Sequence, residues 1–155
     1  MQLTNLVRGV HRNVEEFIAQ RIKAVGLSVE QYRILEALTQ TDGRSMGSLA
    51  AVVFVDSPTL TKIVDRMVSS ALVYRAPDAN DRRKVLIYRA RRGSQIFQSL
   101  SGIEAELQAE LARVLGDEGL EQLTGGLRKL LEGVDSVPSN PAPQGPAQAA
   151  RGFDG

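Results

Sequence analysis

Apolar residues along the chain recur mainly at helical spacing. Leu3, Val7, Val10, Val14 and Phe17 alternate steps of four and three, and Leu6, Ile18 and Ile22 widen the stripe. That pattern predicts an opening helix whose apolar face is broad for a single packing surface. Gly26 ends it. Ser28 and Gln31 stand at capping-box spacing, where a hydroxyl and an amide each satisfy an orphan backbone N–H. The next helix takes its apolar face from Tyr32, Ile34, Leu35 and Leu38, and Thr41-Asp42-Gly43 turns the chain. A short helix over Met46, Leu49, Ala50 and Val53 follows. Asp56 or Ser57 can cap the one after it, and Pro58 suits a first helical turn because its missing N–H is not needed there. Leu60, Ile63, Val64 and Met67 carry that helix to about Leu72.

Periodicity then changes. Val73-Tyr74-Arg75 and Val85-Leu86-Ile87-Tyr88 are β-rich runs, and the polar residues 76–84 between them predict a hairpin. From Ser94 a long helix is expected over Ile96, Leu100, Ile103, Leu107, Leu111 and Val114, interrupted at Gly116-Asp117. A last helix places Leu120, Leu123, Leu127, Leu130 and Val134 at steps of three and four. These two helices carry more apolar positions than a lone helical hairpin can bury. The surplus, with the first helix, reads as a subunit interface; an intramolecular antiparallel bundle is the alternative. Residues 137–155, rich in Pro, Ala and Gly, show no apolar period and are expected to be disordered.

Charge changes this picture locally. The whole chain has 19 Lys and Arg against 18 Asp and Glu, which by itself indicates no partner. Residues 75–92, however, hold seven basic and two acidic side chains, and residues 93–155 hold four basic and nine acidic. The positive charge therefore gathers on the hairpin and just beyond it. Cysteine is absent and His11 is the sole histidine. Thiolate metal sites, a Cys nucleophile and a multi-His metal centre are thereby excluded, and a Ser-His-Asp triad would depend on His11 alone. No nucleotide-binding or nucleophile motif is present, Gly125-Gly126 reads as structural, and Glu15-Glu16 reads as a solvated face. No enzyme and no cofactor is expected. No apolar run reaches the roughly 18 residues of a membrane span, and the first residues lack a signal peptide's apolar core. No membrane partner and a cytoplasmic location are the expectations.

Two short helices joined by a tight turn form a helix-turn-helix, and the basic hairpin adds a wing. The fold class expected is mainly α with a small β-hairpin wing: a winged helix-turn-helix plus a helical dimerisation region. Residues 1–136 form the ordered part, with a DNA-binding lobe over 28–92 and dimerisation helices over 1–25 and 93–136. A helix fits the major groove with its leading residues at base edges. Ser57, Thr59, Thr61 and Lys62 occupy that end, and Arg66 one turn on suits a phosphate. Arg82, Arg83 and Lys84 offer the wing tip to DNA, with Asp81 placed to orient an arginine.

These stretches resemble the MarR family of bacterial transcriptional regulators over about residues 5–135. The carriers are Gly26-Leu27-Ser28 into Gln31-Tyr32-Arg33-Ile34-Leu35, Ser48-Leu49-Ala50, residues 56–67 and Asp81-Arg82-Arg83. The resemblance implies that Arg83 enters the minor groove with Asp81 holding it. It also implies a homodimer on double-stranded operator DNA, built through the first and last two helices. A repressor released by a small aromatic acid is expected; a winged-helix protein-interaction module without ligand sensing is the alternative. Candidate effector residues are Arg8, His11, Arg12, Ser28, Tyr32 and Arg33, though His11 and Tyr32 read equally as ordinary interface residues. The missing cysteines exclude the family's thiol-oxidation sensors. Three positions depart from the family pattern. Phe54 stands where a turn glycine is usual and must pack or protrude. Arg89-Ala90 stands for the usual Leu-Thr, which removes a helix cap. Arg91-Arg92 then places cations at the positive end of a helix dipole, either for an anion or as a solvated charge run.

Overall fold

The computed structural model of the chain describes residues 2–134. In chain order these form α1 (Leu3–Ile22), one 3-10 turn (Lys23–Val25), α2 (Val29–Gln40), α3 (Met46–Val53), α4 (Ser57–Ser69), β1 (Val73–Pro77), β2 (Val85–Arg89), α5 (Arg91–Ser99) and α6 (Ile103–Val134). The fold is the mainly helical winged helix-turn-helix that the pattern predicts. The expected tail over 137–155, and the boundary at 136, lie outside the described residues. The chain divides into two compact bodies, one ending at Glu110 and one beginning at Leu111.

Two apolar clusters organise the first body. The larger joins Ile34, Leu35 and Leu38 of α2, Leu49 of α3, Leu60, Val64 and Met67 of α4, and Leu72, Val73 and Ile87 around the hairpin. The smaller joins Ile18 and Ile22 of α1 with Tyr32, Leu100 and Ile103. Ile96 and Phe97 of α5 pack against both, so α5 ties α1 to the lobe. Tyr32 is only 4% exposed and its ring lies 5.5 Å from that of Phe97.

Helix boundaries follow local chemistry. Gly26, at φ +70°, ends the turn after α1, and Ser28 and Gln31 form the expected capping box on α2. Ser45 accepts from the Ser48 N–H at the start of α3. The hairpin is antiparallel, pairing Val73 with Arg89 through Pro77 with Val85. It is therefore longer than the β-rich runs suggested, because Ala76 and Pro77 still find partners in the opposing strand. Arg44 extends the sheet by one residue, its backbone exchanging hydrogen bonds of 3.1 and 2.8 Å with Ile87.

Two expected helices end elsewhere. The helix expected to reach about Leu72 stops at Ser69. Ala71 turns left-handed (φ +57°), while Leu72 N–H donates to Met67 O at 2.9 Å and Ala71 N–H to Val68 O at 3.0 Å. That paired pattern satisfies the last carbonyls and reverses the chain. The helix expected from Ser94 through Val114 begins three residues earlier, at Arg91, and breaks after Ser99. There Leu100 N–H donates to Phe97 O and Ile103 N–H to Leu100 O, both short-range turns that bring Leu100 and Ile103 into the smaller cluster. Helical periodicity alone cannot see this break, because both residues remain apolar and buried on either side of it.

In the second body, residues 111–134 are helical apart from Gly116, whose φ of +73° and ψ of 166° interrupt the run at the position expected. Val114, Leu127, Leu130 and Leu131 there are exposed, and so are Leu3, Leu6, Val7 and Val10 on α1.

Gly93 holds the tightest approach in the first body. A Cβ built on it would stand 2.1 Å from the Leu72 carbonyl oxygen, whereas one on Gly47 meets nothing within 4 Å. Gly93→Ala is expected to destabilise the protein by about 3 kcal/mol, the upper end for overpacking, because a backbone atom must yield. Gly47→Ala is expected to be neutral or stabilising by up to about 1 kcal/mol. Thermal and urea denaturation of both variants checks the contrast.

Candidate nucleic-acid interface

The amphipathic sequence of α4 fixes which side faces outward. Leu60, Val64 and Met67 are fully buried and Ile63 half-buried, so Ser57, Thr59, Thr61, Lys62 and Arg66 lie on the exposed side. Of the two capping candidates, Asp56 is the one used. Its Oδ1 accepts from Thr59 N–H at 3.0 Å and its Oδ2 from the Thr59 hydroxyl at 2.8 Å. Those bonds to Thr59 hold the exposed Asp56 carboxyl below the usual carboxylate range, with Lys62 adding a smaller pull. The Thr61 hydroxyl donates to Ser57 O at 2.9 Å. Both threonine hydroxyl hydrogens are thus given within the helix end. Ser57 and Lys62 beside them are exposed.

Phe54 takes the left-handed conformation expected of a glycine there (φ +55°, ψ +42°), and its side chain protrudes, 76% exposed. It closes α3, with Val55 N–H donating to Ala50 O at 3.2 Å, and delivers the chain into the α4 cap.

The wing tip is an ordered turn. Asp78 N–H donates to Lys84 O at 2.8 Å and Lys84 N–H to Asp81 O at 2.9 Å. Asp81 Oδ1 accepts from both the Arg83 backbone N–H (3.1 Å) and Arg83 Nε (3.2 Å). The arginine is held by its stem while its side chain stays 92% exposed. Arg82 and Lys84 beside it are also exposed. Tyr74 and Tyr88 stack across the strands at 5.4 Å and stiffen the base of the hairpin.

Three other cations of the basic segment make bonds within the fold, while Arg91 is exposed. Arg75 Nη2 meets Asp65 Oδ1 at 2.6 Å and links β1 to α4. Arg92 Nη1 donates to Ser70 O at 3.0 Å, where α4 ends. The start of α5 has Ala90 as its cap and no side-chain cap bond, as the lost threonine implied. Arg89 Nη1 donates to Thr39 Oγ1 at 3.0 Å and its backbone N–H to Asp42 Oδ1 at 2.9 Å. Sequence reading had no signal for these pairings, which join residues distant along the chain. Arg44 was missed too; its Nε donates to Ala37 O at 3.1 Å and its Nη1 to the Ser48 hydroxyl at 3.2 Å.

The candidate effector residues fall into separate roles. Ser28 is the α2 cap. Tyr32 lies in the smaller cluster, and burial first, then Glu36 and Glu104, push its phenol up to about 12. Glu15, expected on a solvated face, draws Arg33 Nη1 to 3.1 Å and His11 Nε2 to 3.5 Å. Arg12 stands 3.7 Å from Glu16, and Arg8 is exposed. Positive charge at Arg33 and Arg12 is therefore already answered by acids of α1. Among the described residues no cluster of three or more His, Cys, Asp or Glu could hold a metal ion. No single helix among them is long and apolar enough to cross a membrane.

Comparisons with known proteins agree with this geometry. A model of the MarR family matches residues 25–84. The transcriptional regulator BldR of Sulfolobus solfataricus is 32% identical, covering 84% of this chain and 93% of its own, with a TM-score of 0.70. A mutant of MarR from Escherichia coli, complexed with operator DNA, is 25% identical, covers 83% and 93%, and has a TM-score of 0.75. The homoprotocatechuate degradative operon repressor of Escherichia coli is 26% identical over 110 residues, 71% of this chain and 74% of its own.

The lowered Asp56 carboxyl sets a pH dependence. A carboxyl depressed in the folded state contributes stability that is complete above its ordinary value and is lost as pH falls through the folded one. Asp56→Asn should therefore lower Tm at neutral pH. The gap to the unchanged protein should close as pH drops below the ordinary carboxylate range, which melting curves from neutral pH down to about pH 2 would register.

Proposed function

The chain belongs to the MarR family of DNA-binding transcriptional regulators, and from that premise we propose that it is a homodimeric repressor released from its operator by a small aromatic acid. As a member of that family it is a regulator and not an enzyme. The single observation that carries the DNA reading is the wing tip, where Asp81 grips Arg83 by two hydrogen bonds yet leaves its guanidinium almost wholly in solvent. A cation fixed at its stem and free at its head loses little side-chain freedom on meeting a phosphate or a minor groove.

On this reading the leading end of α4 enters a major groove. Ser57, Thr59, Thr61 and Lys62 meet base edges, the threonines through methyl contact and accepted hydrogen bonds, and Arg66 meets a phosphate. Arg82, Arg83 and Lys84 follow the adjacent backbone and minor groove, with Asp81 as the positioning acid. Two copies related by a two-fold axis read a pseudo-palindrome with half-sites roughly 34–36 Å apart. The exposed apolar rows on α1 and on residues 111–134 support the dimer, since exposed apolar surface of that extent marks an interaction face. Repression is supported by the likeness to a repressor of a degradative operon. An acid that prefers a dimer with its lobes wrongly spaced would draw the population off DNA.

Arg83→Ala is expected to weaken binding by about 1–3 kcal/mol on every sequence and to lower the salt slope by about one. Fluorescence anisotropy of a genomic-selected operator at several salt concentrations measures both, and an unchanged slope refutes the wing's role. Val7→Glu combined with Val10→Glu should yield a monomer by sedimentation and bind operator at least about tenfold more weakly, since one lobe then holds only half the site. A variant that remains dimeric would refute the use of the α1 face.

A further inference from the structure

Arg89 sits where the family usually has leucine, and its surroundings are those of an unfinished ion pair. It lines an open cleft of about 310 Å³ together with Thr39 at the end of α2 and Ser94, Phe97, Gln98 and Ser101 along α5. The residue is held at two points, its backbone N–H on Asp42 and its Nη1 on Thr39 Oγ1. Thr39 is itself anchored, its hydroxyl donating to Leu35 O at 2.8 Å. Arg89 Nε, by contrast, is withdrawn from solvent and has no hydrogen-bond partner, which is unusual for so strong a donor. None of the salt bridges among the described residues involves its guanidinium.

The rest of the cleft is suited to one kind of guest. No lining residue is acidic; the polar ones besides Arg89 are hydroxyls and an amide. Phe97 forms an apolar wall whose ring position is fixed by Tyr32. The volume lies at the small end of the roughly 300–1,000 Å³ typical of ligand pockets. A guanidinium fork pairs best with a planar two-oxygen anion, and an aromatic wall favours a flat apolar body over a bare inorganic ion. We propose that this cleft binds a small monocarboxylic acid, its carboxylate on Arg89 and its apolar body along Phe97. A modest turn of the guanidinium gives Nε the acceptor it lacks. The site stands on the cleft itself, while its consequence for DNA rests on the effector reading above. It differs from the group of Arg8, His11, Arg12, Ser28, Tyr32 and Arg33.

The test uses the full chain and titrates benzoate, phenylacetate, benzamide and inorganic phosphate by calorimetry and thermal shift. Benzoate or phenylacetate should bind and raise Tm, and benzamide and phosphate should bind at least about tenfold more weakly, in line with a charge-assisted bond. Arg89→Leu restores the residue usual in the family, and Gln98→Glu adds an acid at an exposed position of the rim. Each should cut carboxylate affinity by at least about tenfold while retarding operator DNA as the unchanged protein does. The proposal is overturned if neither acid binds at millimolar concentration, if phosphate binds as tightly, or if both variants keep full affinity, which would move the site to the His11 and Arg33 region. Failure of the regulator reading shows separately, as unchanged protein that does not retard DNA even at low salt.

Discussion

The lobe depends on one close contact, the seating of the start of α5 on the Leu72 carbonyl. Ala90 N–H donates to Leu72 O at 3.0 Å, and the Gly93 backbone lies over the same oxygen with no room for a Cβ. The residues on either side make the contact consequential. Leu72 immediately precedes β1, and Ala90 immediately follows β2, so the wing leaves and returns at this point. Arg92 adds a bond to Ser70 O, the C-terminal cap of α4. α4, the hairpin and α5 are thus fixed to one another within three residues. A wing anchored at its root can hold a cationic tip in a defined place relative to α4, which a free hairpin of this size cannot do.

The same junction explains how the basic segment is divided. Its charge reads as one electrostatic footprint, yet three of its cations make bonds within the fold. Arg75 neutralises Asp65, Arg92 serves a carbonyl, and Arg89 rests on Thr39. Arg82, Arg83 and Lys84 at the tip, with Arg91 at the start of α5, remain exposed. Inward use of arginine is favoured here because its several donors can satisfy carbonyls that end a helix, where an ammonium would satisfy fewer with fixed geometry. Segment charge therefore overstates how many cations stay free of partners in the fold.

Local backbone strain falls just before and just after α4. Phe54 and Ala71 both occupy left-handed conformations that glycine adopts more easily. Each is compensated by satisfied terminal carbonyls and by the buried packing of α3 and α4. The protruding Phe54 ring shows that this turn tolerates a side chain because solvent, and not the core, receives it.

The order of elements, the capping box at Ser28, a cap at Asp56 or Ser57, the inward face of α4 and an acid at Asp81 orienting a tip arginine were all legible in the sequence. These depend on spacings of two to four residues, which local stereochemistry fixes wherever the segment sits. The break after Ser99, the early end of α4 at Ser69, the pairing of Glu15 with Arg33 and the Arg89 cleft were not legible. Each joins residues whose proximity exists only once the helices pack, so periodicity offers no signal for them. Sequence thus determined the kind of machine, a winged helix with a basic tip. Tertiary packing decided which of its charges are spent inside and which are left to bind.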